Sequence, residues 1–198
     1  MKNWKGNDKS VFQALSASSH SDRDREKYDF YATEPKAVEL LLEKESFTGK
    51  IWEPACGQGH ISKVLKKHNY QVYSTDIIDR NYGDGVKDFL SIDNLSFDGN
   101  IITNPPYRYA YDFILKSLQI IRPYDKIAFF LKIQFLESKQ RKYLFRKYPP
   151  KIIYVASERL NCAMNGNFEK YKKNSAVCYA WFIWQKDVFE TTKIKWIN

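Results

Sequence analysis

Between residues 50 and 147 short apolar runs alternate with segments of helical periodicity, and this alternation constrains the fold more than any other feature. Residues 50–55 read as a first strand and 60–67 as a helix. Residues 71–76 are a second strand, 86–90 a short third and 100–103 a fourth. A helix over 110–121, a fifth strand over 126–132 and a basic helix over 136–147 follow. A chain that repeats strand and helix in this way buries a mostly parallel sheet between helices on both faces. Residues 152–156 and 176–185 are late strands with no room for a crossover helix between them, so an antiparallel hairpin is expected there. Upstream, Thr33 reads as a helix N-cap and Pro35 as an early helical residue, with the helix continuing through Leu42. The expected class is α/β: a Rossmann-like, seven-stranded, mostly parallel sheet with a C-terminal antiparallel hairpin.

A length of 198 residues suits one domain, and 43% hydrophobic residues suffice for its core. Residues 1–27 are polar and expected to be mobile, leaving 28–198 as a single domain. Cys56, Cys162 and Cys178 form no CxxC pair and fit a reduced cytoplasmic compartment. His20, His60 and His68 lack metal-ligand spacing, so no metal site is expected. The longest apolar run is too short to cross a membrane as a helix, and the N-terminus lacks the apolar core of a signal peptide. A net charge of +9 suits a polyanionic partner.

Asn104-Pro105-Pro106-Tyr107 directly follows the fourth strand. Two prolines and an asparagine can simply close a strand. The position favours more, because ligands in open α/β sheets bind at the C-terminal ends of parallel strands. The Asn104 side-chain oxygen and the Pro105 carbonyl are two acceptors for the N–H bonds of an amino group. Accepting both stabilises the positive charge that grows on its nitrogen as it attacks an electrophilic carbon. Pro105 and Pro106 fix the backbone, and Tyr107 offers a flat face for a ring.

Residues 53–59, Glu-Pro-Ala-Cys-Gly-Gln-Gly, join the first strand to its helix. Gly57 and Gly59 permit a tight turn and close approach of a ligand. Ser62 stands where a dinucleotide fingerprint has its third glycine, which argues against a pyrophosphate cradle. Asp76, ending the second strand, suits the hydroxyls of a ribose. Asp88 suits an adenine amino group, with Phe89 packed on the ring.

With these motifs the chain resembles the small adenine-specific DNA methyltransferases often encoded by phages and prophages, over residues 28–186. Residues 30–35, Phe-Tyr-Ala-Thr-Glu-Pro, resemble the family's segment covering the methionine end of S-adenosylmethionine. Residues 53–59 match its cofactor loop, in which the acidic residue anchors the amino group of the ligand. Residues 104–107 match its catalytic motif. The motif order is the family's γ arrangement, which puts target recognition C-terminal, yet too little chain follows Tyr107 for a separate recognition domain. The resemblance implies a class I methyltransferase fold and S-adenosyl-L-methionine as cofactor. The expected cofactor residues are Tyr31, Thr33, Glu53, Pro54, Ala55, Gly57, Gly59, Asp76, Ile77, Asp88, Phe89 and Asn104, and the catalytic ones Asn104, Pro105, Pro106 and Tyr107.

The basic, aromatic-interleaved stretch 132–151 contains Lys139, Arg141 and Lys142, read either as a solvated helix face or as phosphate contacts. Phe168, in the long connection between the last strands, is a candidate to pack on the target base opposite Tyr107. DNA is the expected partner. RNA adenine or protein glutamine would serve the same chemistry, and a non-catalytic nucleic-acid-binding subunit is a further alternative.

Overall fold

The computed structural model describes residues 30–93, 95–164, 166, 168 and 177–198. The N-terminal stretch expected to be mobile lies outside them. The elements are β1 (Tyr31–Thr33), α1 (Pro35–Leu42), β2 (Lys50–Glu53), α2 (His60–Lys67), β3 (Val72–Asp76), β4 (Gly85–Val86), β5 (Gly99–Thr103), α3 (Ala110–Ile120), β6 (Lys126–Lys132), α4 (Lys142–Lys147), β7 (Ile152–Ala156), β8 (Cys162–Met164), β9 (Tyr179–Gln185) and β10 (Lys193–Ile197).

Eight strands form one sheet in the order β10-β7-β9-β6-β5-β2-β3-β4. All neighbours are parallel except β9, which runs antiparallel to both β6 and β7. Central strands buried on both faces explain the continuous apolar runs of β6 and β9. Successive side chains point to opposite faces, so Phe130 and Trp181 pack with α1 and α2 while Phe129 and Phe182 pack with α3 and α4. The buried indoles keep their N–H groups satisfied: Trp181 donates to the Ala37 carbonyl at 2.7 Å, and Trp52 to Thr75 Oγ1 at 2.9 Å.

The β7–β9 hairpin pairing and the parallel centre match the sequence reading, and several local features differ from it. The sheet has eight strands rather than seven. β10 adds to the β7 edge through a Lys-Ile-Lys-Trp-Ile alternation that leaves only Ile197 buried. The short third strand covers only 85–86. Phe89–Ser91 is a 3-10 turn instead, because the Asp88 carboxylate accepts from Leu90 N (3.0 Å) and Ser91 Oγ (2.6 Å). The basic helix shrinks to α4, preceded by a 3-10 turn at Ile133–Leu136. There Ser138 Oγ accepts from Gln140 N, and Arg141 bonds to the carbonyls of Gln134, Phe135 and Glu137, in competition with regular helix bonds.

Thr33 is not an N-cap. It ends β1, whose partner is β8, with Thr33 opposite Cys162 in an antiparallel two-stranded sheet. Glu34 takes the cap position, but its carboxylate accepts from Asn161 N (2.9 Å) rather than from its own helix. This small sheet joins segments far apart in the chain and brings both to the edge where the central strands end.

Candidate functional site

From β2 the chain winds outward through β3 and β4, then returns to β5 on the other side of β2 and continues to β6. That reversal opens a crevice at the C-terminal ends of β2 and β5. A cavity of about 730 Å³ occupies it. Its wall comes from residues 30–33, 53–56, 76–78 and 87–90, together with His60, Ile61, Arg80, Asn104, Pro106, Arg108, Tyr109 and Phe113. The volume is in the range of small-molecule sites, roughly 300–1,000 Å³.

Glu53, at the end of β2, is 2% exposed. Its Oε2 accepts from Ser62 N at 2.9 Å and from Ser62 Oγ, and Ser62 Oγ lies 2.7 Å from Ser74 Oγ. Burial pushes the Glu53 carboxyl up to about 8, against the opposing pull of the Ser62 bonds. Ser62 therefore serves as the support of this carboxyl. Gly57 and Gly59 have φ of 53° and 79°, the left-handed region that favours glycine. A Cβ at Gly57 would lie 2.2 Å from the Phe30 ring, and one at Gly59 2.2 Å from the Tyr82 ring. The open side of each glycine is thus filled by an aromatic cover rather than left for a ligand.

Asp76 ends β3, and its two oxygens accept from Gly57 N (2.8 Å) and Ile78 N (3.0 Å). It ties the glycine loop to the next strand while lining the cavity. Ile77 beside it is 59% exposed, an apolar surface with no internal packing to explain it. Phe89 forms apolar wall from below, packed on Trp52 and Phe113 at ring distances of 5.1 and 4.9 Å.

Across the cavity stands Asn104. Its Nδ2 donates to the Tyr31 carbonyl (2.8 Å) and Thr33 Oγ1 (3.0 Å), and it approaches Cys162 Sγ at 3.6 Å. A backbone carbonyl can only accept, so these contacts settle which end of the amide is nitrogen. Asn104 Oδ1 is then left buried with no hydrogen-bond partner. The β1–β8 sheet supplies all three groups that hold the amide.

Pro106 lines the cavity, whereas Pro105 is buried outside its wall. Tyr107 is also outside it. Its hydroxyl donates to Cys162 Sγ at 3.5 Å, the rings of Tyr31 and Tyr179 lie 5.7 and 6.2 Å away, and the Lys132 ammonium stands 4.6 Å over its ring. Burial pushes the Cys162 thiol up to about 12, so it stays protonated in this cluster. The ring contact of Phe168 is with His60, at 5.5 Å, and Gly166 lies against Gln58 and His60. Gly166 and Phe168 thus lie on the glycine-loop side, and among the described residues the rings that meet Tyr107 are Tyr31 and Tyr179.

No family model matches the chain, and no curated protein matches it in sequence. Solved structures do. A proposed class I S-adenosylmethionine-dependent methyltransferase from Listeria monocytogenes aligns over 94% of this chain and 71% of its own, at 12% identity and a TM-score of 0.57. A proposed RNA methyltransferase from Pyrococcus horikoshii aligns over 93% and 100%, at 14% identity and a TM-score of 0.53. The fold is that of class I methyltransferases. A proposed haemolysin from Lactococcus lactis aligns over 81% and 91%, at 11% identity and a TM-score of 0.56. One methyltransferase fold thus spans differently described proteins, and function must be argued from the site.

Of the expected cofactor residues, Tyr31, Thr33, Glu53, Pro54, Ala55, Asp76, Ile77, Asp88, Phe89 and Asn104 all line the cavity. Lys139 and Lys142 are exposed on the segment leaving β6, away from that wall. Arg141 departs from the expected phosphate role: its guanidinium donates to three backbone carbonyls and covers the Phe135 ring at 4.6 Å. The sequence reading missed His60, Arg80 and Cys162. For Arg80 a signal existed, since it follows closely on a strand end that faces the crevice. For Cys162 none did, since its place depends on pairing with Thr33.

Proposed function

We propose that this chain is an S-adenosylmethionine-dependent methyltransferase acting on the exocyclic amino group of adenine in DNA. One observation carries the reading: the Asn104 amide is held by its nitrogen at the cavity wall while its Oδ1 stays buried and unpartnered. A buried acceptor without a donor is unfavourable by itself, and an incoming N–H would satisfy it. An exocyclic amino group supplies one. By accepting that N–H, Asn104 Oδ1 stabilises the positive charge that develops on the nitrogen, and the clamp at Nδ2 fixes the orientation of the amide. The Pro105 carbonyl is proposed for the second N–H on the motif alone, since Pro105 itself lies outside the cavity wall.

S-adenosylmethionine, when bound, supplies an electrophilic methyl group on a sulfonium centre. The wall fits this group: Glu53 suits its amino group, Asp76 its ribose hydroxyls, and Ile77, Asp88 and Phe89 its adenine ring. Nucleic acid fits the net charge of +9 and the exposed Lys139, Lys142, Arg146 and Lys147. These follow β6, whose C-terminal end lies at the same edge of the sheet as Asn104. A target within a duplex would have to leave the stack. The proposed location is the cytoplasm, where the free Cys56, Cys162 and Cys178 stay reduced.

The test is transfer from methyl-labelled S-adenosylmethionine to double-stranded DNA, single-stranded DNA, RNA and a protein extract in parallel, followed by nucleoside analysis. Methylated adenine in DNA is the expected product. Label in RNA or protein alone would change the substrate, and no label despite cofactor binding would overturn the enzymatic reading.

A further inference from the structure

We infer that Arg80 holds the carboxylate at the amino-acid end of the cofactor. The inference rests on the reading of the cavity as an S-adenosylmethionine site and assigns the partner of that ligand's one anionic group. Arg80 lies just beyond Asp76 on the loop that leaves β3, and it lines the cavity with Ile77 and Ile78. Its guanidinium carbon is 4.3 Å from the centroid of the Phe30 ring, and Phe30 in turn packs against Gly57. Cation–π attraction holds the guanidinium on that ring, above the glycine loop.

One donor of this guanidinium is unpartnered. Its Nε is buried without a hydrogen-bond partner, although the group is all donor. The acids on the wall are engaged elsewhere. Asp76 accepts from Gly57 N and Ile78 N, Asp88 from Leu90 N and Ser91 Oγ, and Glu53 from Ser62. The other wall cations rest on other rings, Lys87 on Tyr73 and Arg108 on Tyr109. A buried N–H on a cation that lines the cavity suits an acceptor brought by the ligand. A carboxylate matches the fork of an arginine with two parallel bonds.

Two nucleosides separate the possibilities. S-adenosylhomocysteine carries the carboxylate, and 5′-methylthioadenosine shares the adenosine and sulfur but lacks the amino-acid end. Calorimetric titration of Arg80→Gln is expected to weaken S-adenosylhomocysteine about tenfold or more, with 5′-methylthioadenosine unchanged. Arg80→Met, which keeps an apolar stem over Phe30, is expected to show the same selective loss, and Arg80→Lys a smaller one. Equal weakening of both nucleosides would overturn the inference, since Arg80 would then only shape the wall through Phe30. Unchanged S-adenosylhomocysteine affinity would also overturn it, including the case in which only DNA affinity falls. Wild-type protein that binds neither nucleoside would overturn the cofactor reading itself, and this inference with it.

Discussion

Glu53 and Asn104 stand at the ends of the neighbouring strands β2 and β5 and face one cavity, yet their polar groups are supported in opposite ways. Glu53 is held from nearby in sequence: Ser62, at the start of α2, gives it both a backbone and a hydroxyl donor. Asn104 is held from afar, by Tyr31, Thr33 and Cys162. Glu53 has its internal donors in place and stays buried at the expense of its charge. Asn104 has its donors placed and its acceptor left open. The difference suits a division of labour in which the β2 side binds a resident cofactor and the β5 side meets a group that changes during the reaction.

The sharpest way to break that comparison is to remove each group in turn. Asn104→Ala is expected to lower kcat by roughly a hundred- to a thousandfold, the scale of one lost charge-stabilising bond, with S-adenosylhomocysteine affinity nearly unchanged. Equal losses in both would mean that Asn104 only supports the cavity. Glu53→Gln is expected to do the reverse, weakening S-adenosylhomocysteine by roughly ten- to a hundredfold with a smaller change in kcat.

The Glu53 substitution also has a pH signature. The carboxyl is raised to about 8 in the fold, against an ordinary value of 4.5 that applies to the unfolded chain. Between those values the unfolded chain has released a proton that the folded chain still holds. The contribution of this group to stability is therefore whole below about 4.5 and is lost as pH rises towards 8. Glu53→Gln lacks this titration, so its Tm is expected to gain on that of the wild type as pH rises across the window. A difference that stays flat would mean that Glu53 is already ionised in the fold.

A smaller effect sharpens the Asn104 side. Thr33→Val keeps the shape of the residue and removes one acceptor for Nδ2. It is expected to lower kcat by about tenfold, the loss of one hydrogen bond, and Thr33→Ser is expected to restore most of it. A Ser variant as impaired as Val would assign Thr33 a packing role rather than the positioning of Asn104.

The same contrast explains what could be read from the sequence. The Glu53 side was legible because its parts are contiguous: a strand end, a glycine loop and an acidic residue at the next strand end. The glycine loop was legible as a turn but not as a seat for aromatic rings, since Phe30 and Tyr82 reach Gly57 and Gly59 only through tertiary packing. Asn104 was legible as a motif, but its orientation was not, because Thr33 meets Cys162 only once β1 pairs with β8. Reading Thr33 as a helix cap was the local answer to a long-range question. Strand β10 was missed for a different reason: its alternation is real, but it packs one residue into the core and is held by main-chain pairing with β7.

The basic stretch after β6 divides by the same logic of satisfied and open groups. Arg141 donates to the carbonyls of Phe135 at 2.7 Å, Glu137 at 2.8 Å and Gln134 at 3.3 Å, so its donors hold a turn. Lys139 and Lys142 are exposed. Arg141→Ala is expected to lower stability by about 1–2 kcal/mol, read as a fall in Tm. Lys139→Ala and Lys142→Ala are expected to leave Tm unchanged. Each should instead weaken DNA about two- to threefold and reduce the salt slope of binding by about one. If the lysine variants bind DNA like the wild type at every salt concentration, this stretch is a solvated face, and the phosphate contacts belong to residues nearer the mouth of the cavity, where Arg108 stands.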